Sequence, residues 1–130
     1  MALPVTSFFA AAFIIMALVL IMRAVGGRKK FNVSVGDGGH EDLARLMRAH
    51  ANFVETVPFV LIGMALMELN GAANWWLAII GGVFLVARIS HAIGMSYRYP
   101  AIPFRFVGMA TTMGIFILVA ATLLYQSLFG

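Results

Sequence analysis

The chain has no cysteine and very little charge. The lack of cysteine excludes a disulfide framework, a thiolate metal site and any chemistry that uses the protein's own thiol. Charged residues make up 11% of 130 residues, against ~25% in an average soluble domain. Nine Lys or Arg and five Asp or Glu cannot coat a soluble fold of this size. Hydrophobic residues reach 62%, where ~45–50% is usual, and the mean hydropathy is +0.97. These figures exclude a soluble globular enzyme, a disordered chain and a nucleic-acid partner, even with an isoelectric point near 10.1. The basic balance fits contact with an anionic membrane surface or an anionic small molecule.

Four apolar runs are long enough to cross a bilayer, which takes ~20 helical residues. They predict helices over about 5–25, 42–69, 74–95 and 104–129, in a single domain over 1–130. No segment alternates like a barrel strand, and backbone in lipid must bond internally, so the fold class is an all-α four-helix membrane bundle. The first run lacks a basic start and carries its positive charges after it, unlike a signal peptide.

Lys and Arg are missing from both termini and from the turn Asn70-Gly71-Ala72-Ala73-Asn74. They collect after the first run, at Arg23, Arg28, Lys29 and Lys30, and after the third, at Arg98 and Arg105. The positive-inside rule then makes both basic connections cytoplasmic and sets both termini outside. Trp75 and Trp76 fall at the outer interface, where indoles prefer to lie. Glu68 is the single charge expected at that end. The first connection, with Gly26-Gly27 and Gly36-Asp37-Gly38-Gly39, has glycines for tight turns. Glu41 and Asp42 suit the first turn of the second helix.

The few intramembrane polar groups follow a pattern. At 100° per residue, with Arg45 at about 0°, Arg48 lies near 300°, Asn52 near 340° and Glu55 near 280°, a stripe about 80° wide. His50, near 140°, faces elsewhere. Ionisable residues at this depth cost at least ~2.5–3.5 kcal/mol each, so they pair, face the bundle interior or do chemistry. Arg88 and His91 share one face late in helix 3, and Arg105 opens helix 4 at the same level. Arg48, Glu55, Arg88, His91 and Arg105 are therefore expected to converge on the cytoplasmic third. An ion pair of Glu55 with Arg48 or Arg88 is the structural reading. Positive groups outnumber the one carboxylate, however, and an anionic ligand would neutralise the excess. Gly81, Gly82, Gly108 and Gly114 fit close helix approach, and Pro58 a helix kink.

The run Arg48-Ala49-His50-Ala51-Asn52-Phe53-Val54-Glu55 resembles the motif of the MAPEG proteins, membrane-associated proteins in eicosanoid and glutathione metabolism. The pair Arg88-x-x-His91 and the basic cluster after helix 1 support the resemblance, and the Gly36–Gly39 loop resembles the family's small bacterial inner-membrane members. The resemblance implies a homotrimer with glutathione as co-substrate, bound between protomers near the cytoplasmic face. It implies that Arg48, Asn52, Glu55 and His91 contact glutathione, Glu55 at the glutamyl amino end, with Arg88 orienting the acid. It also implies that Arg105 stabilises the thiolate. The activity implied is transfer to lipophilic electrophiles or reduction of hydroperoxides, with lipid and a second copy of the chain as partners.

The chain departs from the family pattern at three positions. Met95 stands where well-studied members have a tyrosine, Phe106 where they carry a serine, and Ala51 where they have a basic residue. Tyr97 and Tyr99 are the candidate substitutes for the missing tyrosine. Two alternatives follow: a non-catalytic glutathione or anion binder or transporter, and a haem bundle using His50 and His91, whose faces disagree.

Overall fold

A computed structural model describes residues 1–97 and 102–130; Arg98 and Tyr99 lie outside the described residues. Four helices follow in order, α1 Pro4–Phe31, α2 Glu41–Leu69, α3 Asn74–Ser96 and α4 Ile102–Phe129. All four are long and apolar enough to span a membrane, and no strand occurs among the described residues. The all-α membrane bundle is the observed fold class.

α2 and α3 form the centre of the bundle. α1 packs on one side of the pair and α4 on the other, without touching each other among the described residues. Phe13 of α1 ties three helices together, its ring 5.2 Å from Phe84 of α3 and 6.2 Å from Phe53 of α2. Around it Val60, Met64, Leu77 and Ile80 are all but fully buried. Exposed apolar side chains such as Ile14, Leu18, Ile117 and Leu124 cover the outside, as suits a protein whose solvent is lipid.

Two side-chain bonds mark opposite ends of the bundle. At one end the Arg23 guanidinium donates to Ser96 Oγ at 2.9 Å, joining α1, about two turns before its end, to the last residue of α3. At the other, the backbone amides of Val5 and Thr6 donate to the two Glu68 carboxylate oxygens, each at 2.9 Å. Glu68 thus caps α1 from another helix, where Leu3 at the N-cap has no side chain to do so. The first end carries the basic residues. The second carries both termini, Glu68 and the exposed Trp75.

The first helix runs past its expected end near residue 25 and stops at Phe31. Gly26 and Gly27 are helical, and Gly27 is buried against the Leu43 and Leu46 side chains of α2. The stop comes from Asn32, which takes the left-handed conformation at φ 53° that asparagine tolerates. Arg28, Lys29 and Lys30 occupy the last turn, where the helix dipole favours cations. The connection is correspondingly short, and the positive-φ glycines there are Gly36, Gly38 and Gly39. α4 begins at Ile102, two residues before the expected start, with Pro103 in the first turn, where its missing N–H costs nothing.

Candidate functional site

At the basic end, α2, α3 and α4 enclose a cleft of about 470 Å³ lined by Arg48, Asn52, His91, Met95, Arg105, Phe106 and Met109. The helices close on each other because of two glycines. A Cβ on Gly94 would strike the Arg105 backbone, and one on Gly108 would strike the Ala87 carbonyl and the His91 backbone. α3 and α4 therefore pack backbone to backbone beside the cleft, which sets His91 and Arg105 on adjoining walls. Gly81 likewise makes room for the Phe9 ring, whereas Gly82 and Gly114 face open space. The small residues expected at contacts are thus contacts at Gly81 and Gly108 only.

Arg88 is completely buried behind the cleft and does not line it. Its Nη2 donates to Asn52 Oδ1 at 2.7 Å and lies 3.3 Å from His91 Nδ1; its Nη1 donates to Thr112 Oγ1 at 3.3 Å. Thr112 in turn donates to the Gly108 carbonyl at 2.8 Å. Nε has no partner among the described residues.

A guanidinium can only donate, which fixes the roles of its neighbours. Asn52 spends its carbonyl oxygen on Arg88, leaving its NH2 for the cleft. His91 accepts at Nδ1, so its ring proton sits on Nε2, again a donor. With Arg48 and Arg105 the polar wall of the cleft consists of donors and positive charge. Arg45 pairs with Glu41 on the exposed start of α2, at 2.8 Å; among the described residues no carboxylate pairs with Arg48, Arg88 or Arg105. Such a wall suits an anion.

The structure brings Arg48, Asn52, His91 and Arg105 to one cleft, with Arg88 one layer behind. Glu55 stands apart: it is exposed on α2, outside the cleft lining, with no partner among the described residues. Three residues beyond Asn52 carry it about 60° around the helix, off the α3-facing side. His50 opens into a different crevice, between α1 and α2, with Arg28 and Met47. The two histidines therefore do not share a cavity. Met95 and Phe106 line the cleft, so two of the three departures stand at the site itself; the third, Ala51, lines the crevice of His50. Tyr97 is exposed at the end of α3.

Thr112 and Met109 were not singled out in the sequence. A threonine in an apolar helix usually bonds its own turn, as Thr112 does, and nothing in its spacing announces the contact with Arg88.

A family model described as the MAPEG family matches residues 6–125. The chain belongs to that family. It is also similar to the inner membrane protein YecN of Escherichia coli strain K12, 34% identical over 121 residues, covering 89% of this chain and 91% of YecN. The YecN of Escherichia coli O6:H1 strain CFT073 matches to the same extent. The family match covers all of α2 and α3, most of α1 and α4, and every residue of the cleft.

Proposed function

We propose that this protein binds glutathione in the cleft and directs its thiolate at lipophilic electrophiles or hydroperoxides, as a homotrimer of the bacterial inner membrane. The observation that carries the proposal is the donor-only wall formed by Asn52, His91, Arg48 and Arg105. Glutathione brings two carboxylates and the thiol that this cysteine-free chain lacks. The positive-inside rule turns the basic end to the cytoplasm, where glutathione is found, and both termini to the outer side.

In this reading Arg48, Asn52 and His91 hold the carboxylates and peptide groups. Arg88 fixes Asn52 and His91, and Glu55 meets the glutamyl ammonium at the boundary with a neighbouring protomer. Arg105 at the rim lowers the cost of the thiolate; each unit of thiol pKa is worth ~1.4 kcal/mol. The thiol proton passes to solvent. The thiolate then forms a C–S bond to an electrophile as its leaving group departs with the electron pair. With a hydroperoxide it breaks the O–O bond, releasing the alcohol and a sulfenic acid that a second glutathione converts to disulfide and water.

Thiolate ultraviolet absorption on adding glutathione to the purified protein, compared with Arg105→Ala, tests this reading. A band in the wild type that Arg105→Ala loses is the expected result. Neither a band nor turnover of a generic electrophile by the wild type would sink the enzymatic reading.

Met95 and Phe106 in the lining favour a second reading, a glutathione or anion binder or transporter without chemistry. Saturable binding that Arg48→Ala weakens, with no thiol consumed, would establish it instead.

A further inference from the structure

A second groove runs along the opposite side of α3, between α1 and α3, away from the cleft. It has a volume of about 420 Å³ and extends along α1 from Ala12 to Arg23 and along α3 from Leu85 to Ile93. Apart from Arg23 its lining is apolar, with Ile15, Val19 and Ile89 among the walls. At 1.5 Å per residue the stretch from Ala12 to Arg23 rises about 16 Å. That is close to half of the ~30 Å hydrocarbon core, or one leaflet.

Arg23 closes the groove at the basic end. It is half-buried, and no carboxylate pairs with it among the described residues. Nη1 is held by Ser96 Oγ at 2.9 Å, and that hydroxyl donates to the Ala92 carbonyl at 2.6 Å. The guanidinium is thereby anchored at the mouth, and no protein partner takes its Nε and Nη2 donors among the described residues. An unpaired cation at the headgroup level, above an apolar channel one leaflet deep, has the shape and charge of an amphiphile site. Arg28, Lys29 and Lys30 continue the positive field beyond it.

We infer that the α1–α3 groove holds one acyl chain of a net-anionic phospholipid from the leaflet at the basic end, with its phosphate on Arg23. The site is separate from the cleft and does not rest on the proposed glutathione activity. Charge selects the occupant: a cation anchored near an anionic surface favours net-negative headgroups over zwitterionic ones.

Native mass spectrometry of the purified protein in nonionic detergent, titrated with phosphatidylglycerol or phosphatidylcholine, tests the inference. Wild type should retain phosphatidylglycerol in preference to phosphatidylcholine. Arg23→Ala should weaken that retention about tenfold, the effect of one lost charge-assisted contact, and Arg23→Lys should restore most of it. Val19, 52% exposed at the rim, can be enlarged without disturbing the core. Val19→Trp should displace the lipid while leaving the oligomeric state unchanged. Equal uptake of both lipids, or undiminished retention by Arg23→Ala, would overturn the site. So would a loss that follows Lys29→Gln/Lys30→Gln instead, which would place the lipid on the basic helix end. Disassembly by Val19→Trp would show a second copy of the chain in the groove, and would also overturn it. Glutathione binding, measured on the same samples, should not change in any of these variants.

Discussion

Arg88 reaches from α3 to α2 and donates to the Asn52 side-chain oxygen at 2.7 Å. That bond turns the Asn52 amide so that its NH2 group remains for the cleft. The guanidinium is fully buried and meets only neutral acceptors, from Asn52, His91 and Thr112. A buried charge without a counterion is costly. The arrangement therefore gives up stability to keep the cleft wall positive and donating.

Asn52→Asp should separate these two effects. A carboxylate at that position pairs with Arg88 at hydrogen-bond distance, and its second oxygen replaces the donor that faced the cleft. The variant should melt higher than wild type, by the worth of about 1–3 kcal/mol for a charge-assisted bond. Its affinity for glutathione should fall at least about tenfold from like-charge repulsion. Asn52→Leu should lose both, because Arg88 is left buried with one acceptor fewer. Thermal denaturation and calorimetric titration in detergent measure the two effects. A variant Asn52→Asp that melts lower than wild type would contradict this account of Arg88.

The contrast between Arg88 and Glu55 shows how far the sequence could be read. Helical periodicity puts both on polar stripes, and scarcity of charge in an apolar chain marks both as expensive. The four helices and the level at which the groups meet follow from those two signals alone. Periodicity gives an angle around one helix, however, and depth toward a neighbour depends on packing. Gly94 and Gly108 bring α4 so near α3 that Arg88 is sealed behind the cleft, while Glu55 is left on the open face. The cap of α1 by Glu68 was hidden for a similar reason, since its partners are 62 and 63 residues away. The full length of α1 is not legible in the sequence because a Gly-Gly pair reads as a turn, whereas Gly27 is helical and packs against Leu43 and Leu46.

The glycines make a matched test of helix approach. Gly108→Ala would push a methyl group into the Ala87 carbonyl and the His91 backbone, neither of which can yield as a side-chain end can. It should destabilise by about 1–3 kcal/mol, as overpacking does, and weaken glutathione binding by moving His91. Gly82→Ala and Gly114→Ala meet nothing within 4 Å. They should be neutral, or stabilising by up to about 1 kcal/mol from helix propensity. Melting curves of the three variants decide the point, and equal effects at all three positions would refute the close approach.

Glu68→Ala should free the first turn of α1. The carboxylate satisfies two of the amides that a helix start leaves without partners, and its charge suits the positive end of the dipole. Loss of such a cap costs about 1 kcal/mol. Glu68→Gln keeps an acceptor oxygen and should fall between the two. Hydrogen exchange should quicken at Val5 and Thr6 in Glu68→Ala, while glutathione affinity at the far end of the bundle stays the same. Unchanged exchange at those amides would remove Glu68 from the capping role.

Glu55 offers the sharpest check on the proposed ligand. An exposed carboxylate on a membrane helix is expensive in lipid, so its natural place is against a cation from outside the chain. In the proposed function that cation is the ammonium of the glutamyl end. Glu55→Gln should then lower affinity for glutathione about tenfold, the worth of one charge-assisted contact. An analogue that lacks the amino group should bind wild type and Glu55→Gln alike, because the interaction is already gone from the ligand. Arg48→Ala should weaken both ligands, since the carboxylates it is proposed to hold are present in each. Calorimetric titration of the two ligands against the three proteins closes the cycle. If Glu55→Gln weakens the analogue as much as glutathione, the carboxylate acts on the assembly of protomers and not on the ammonium.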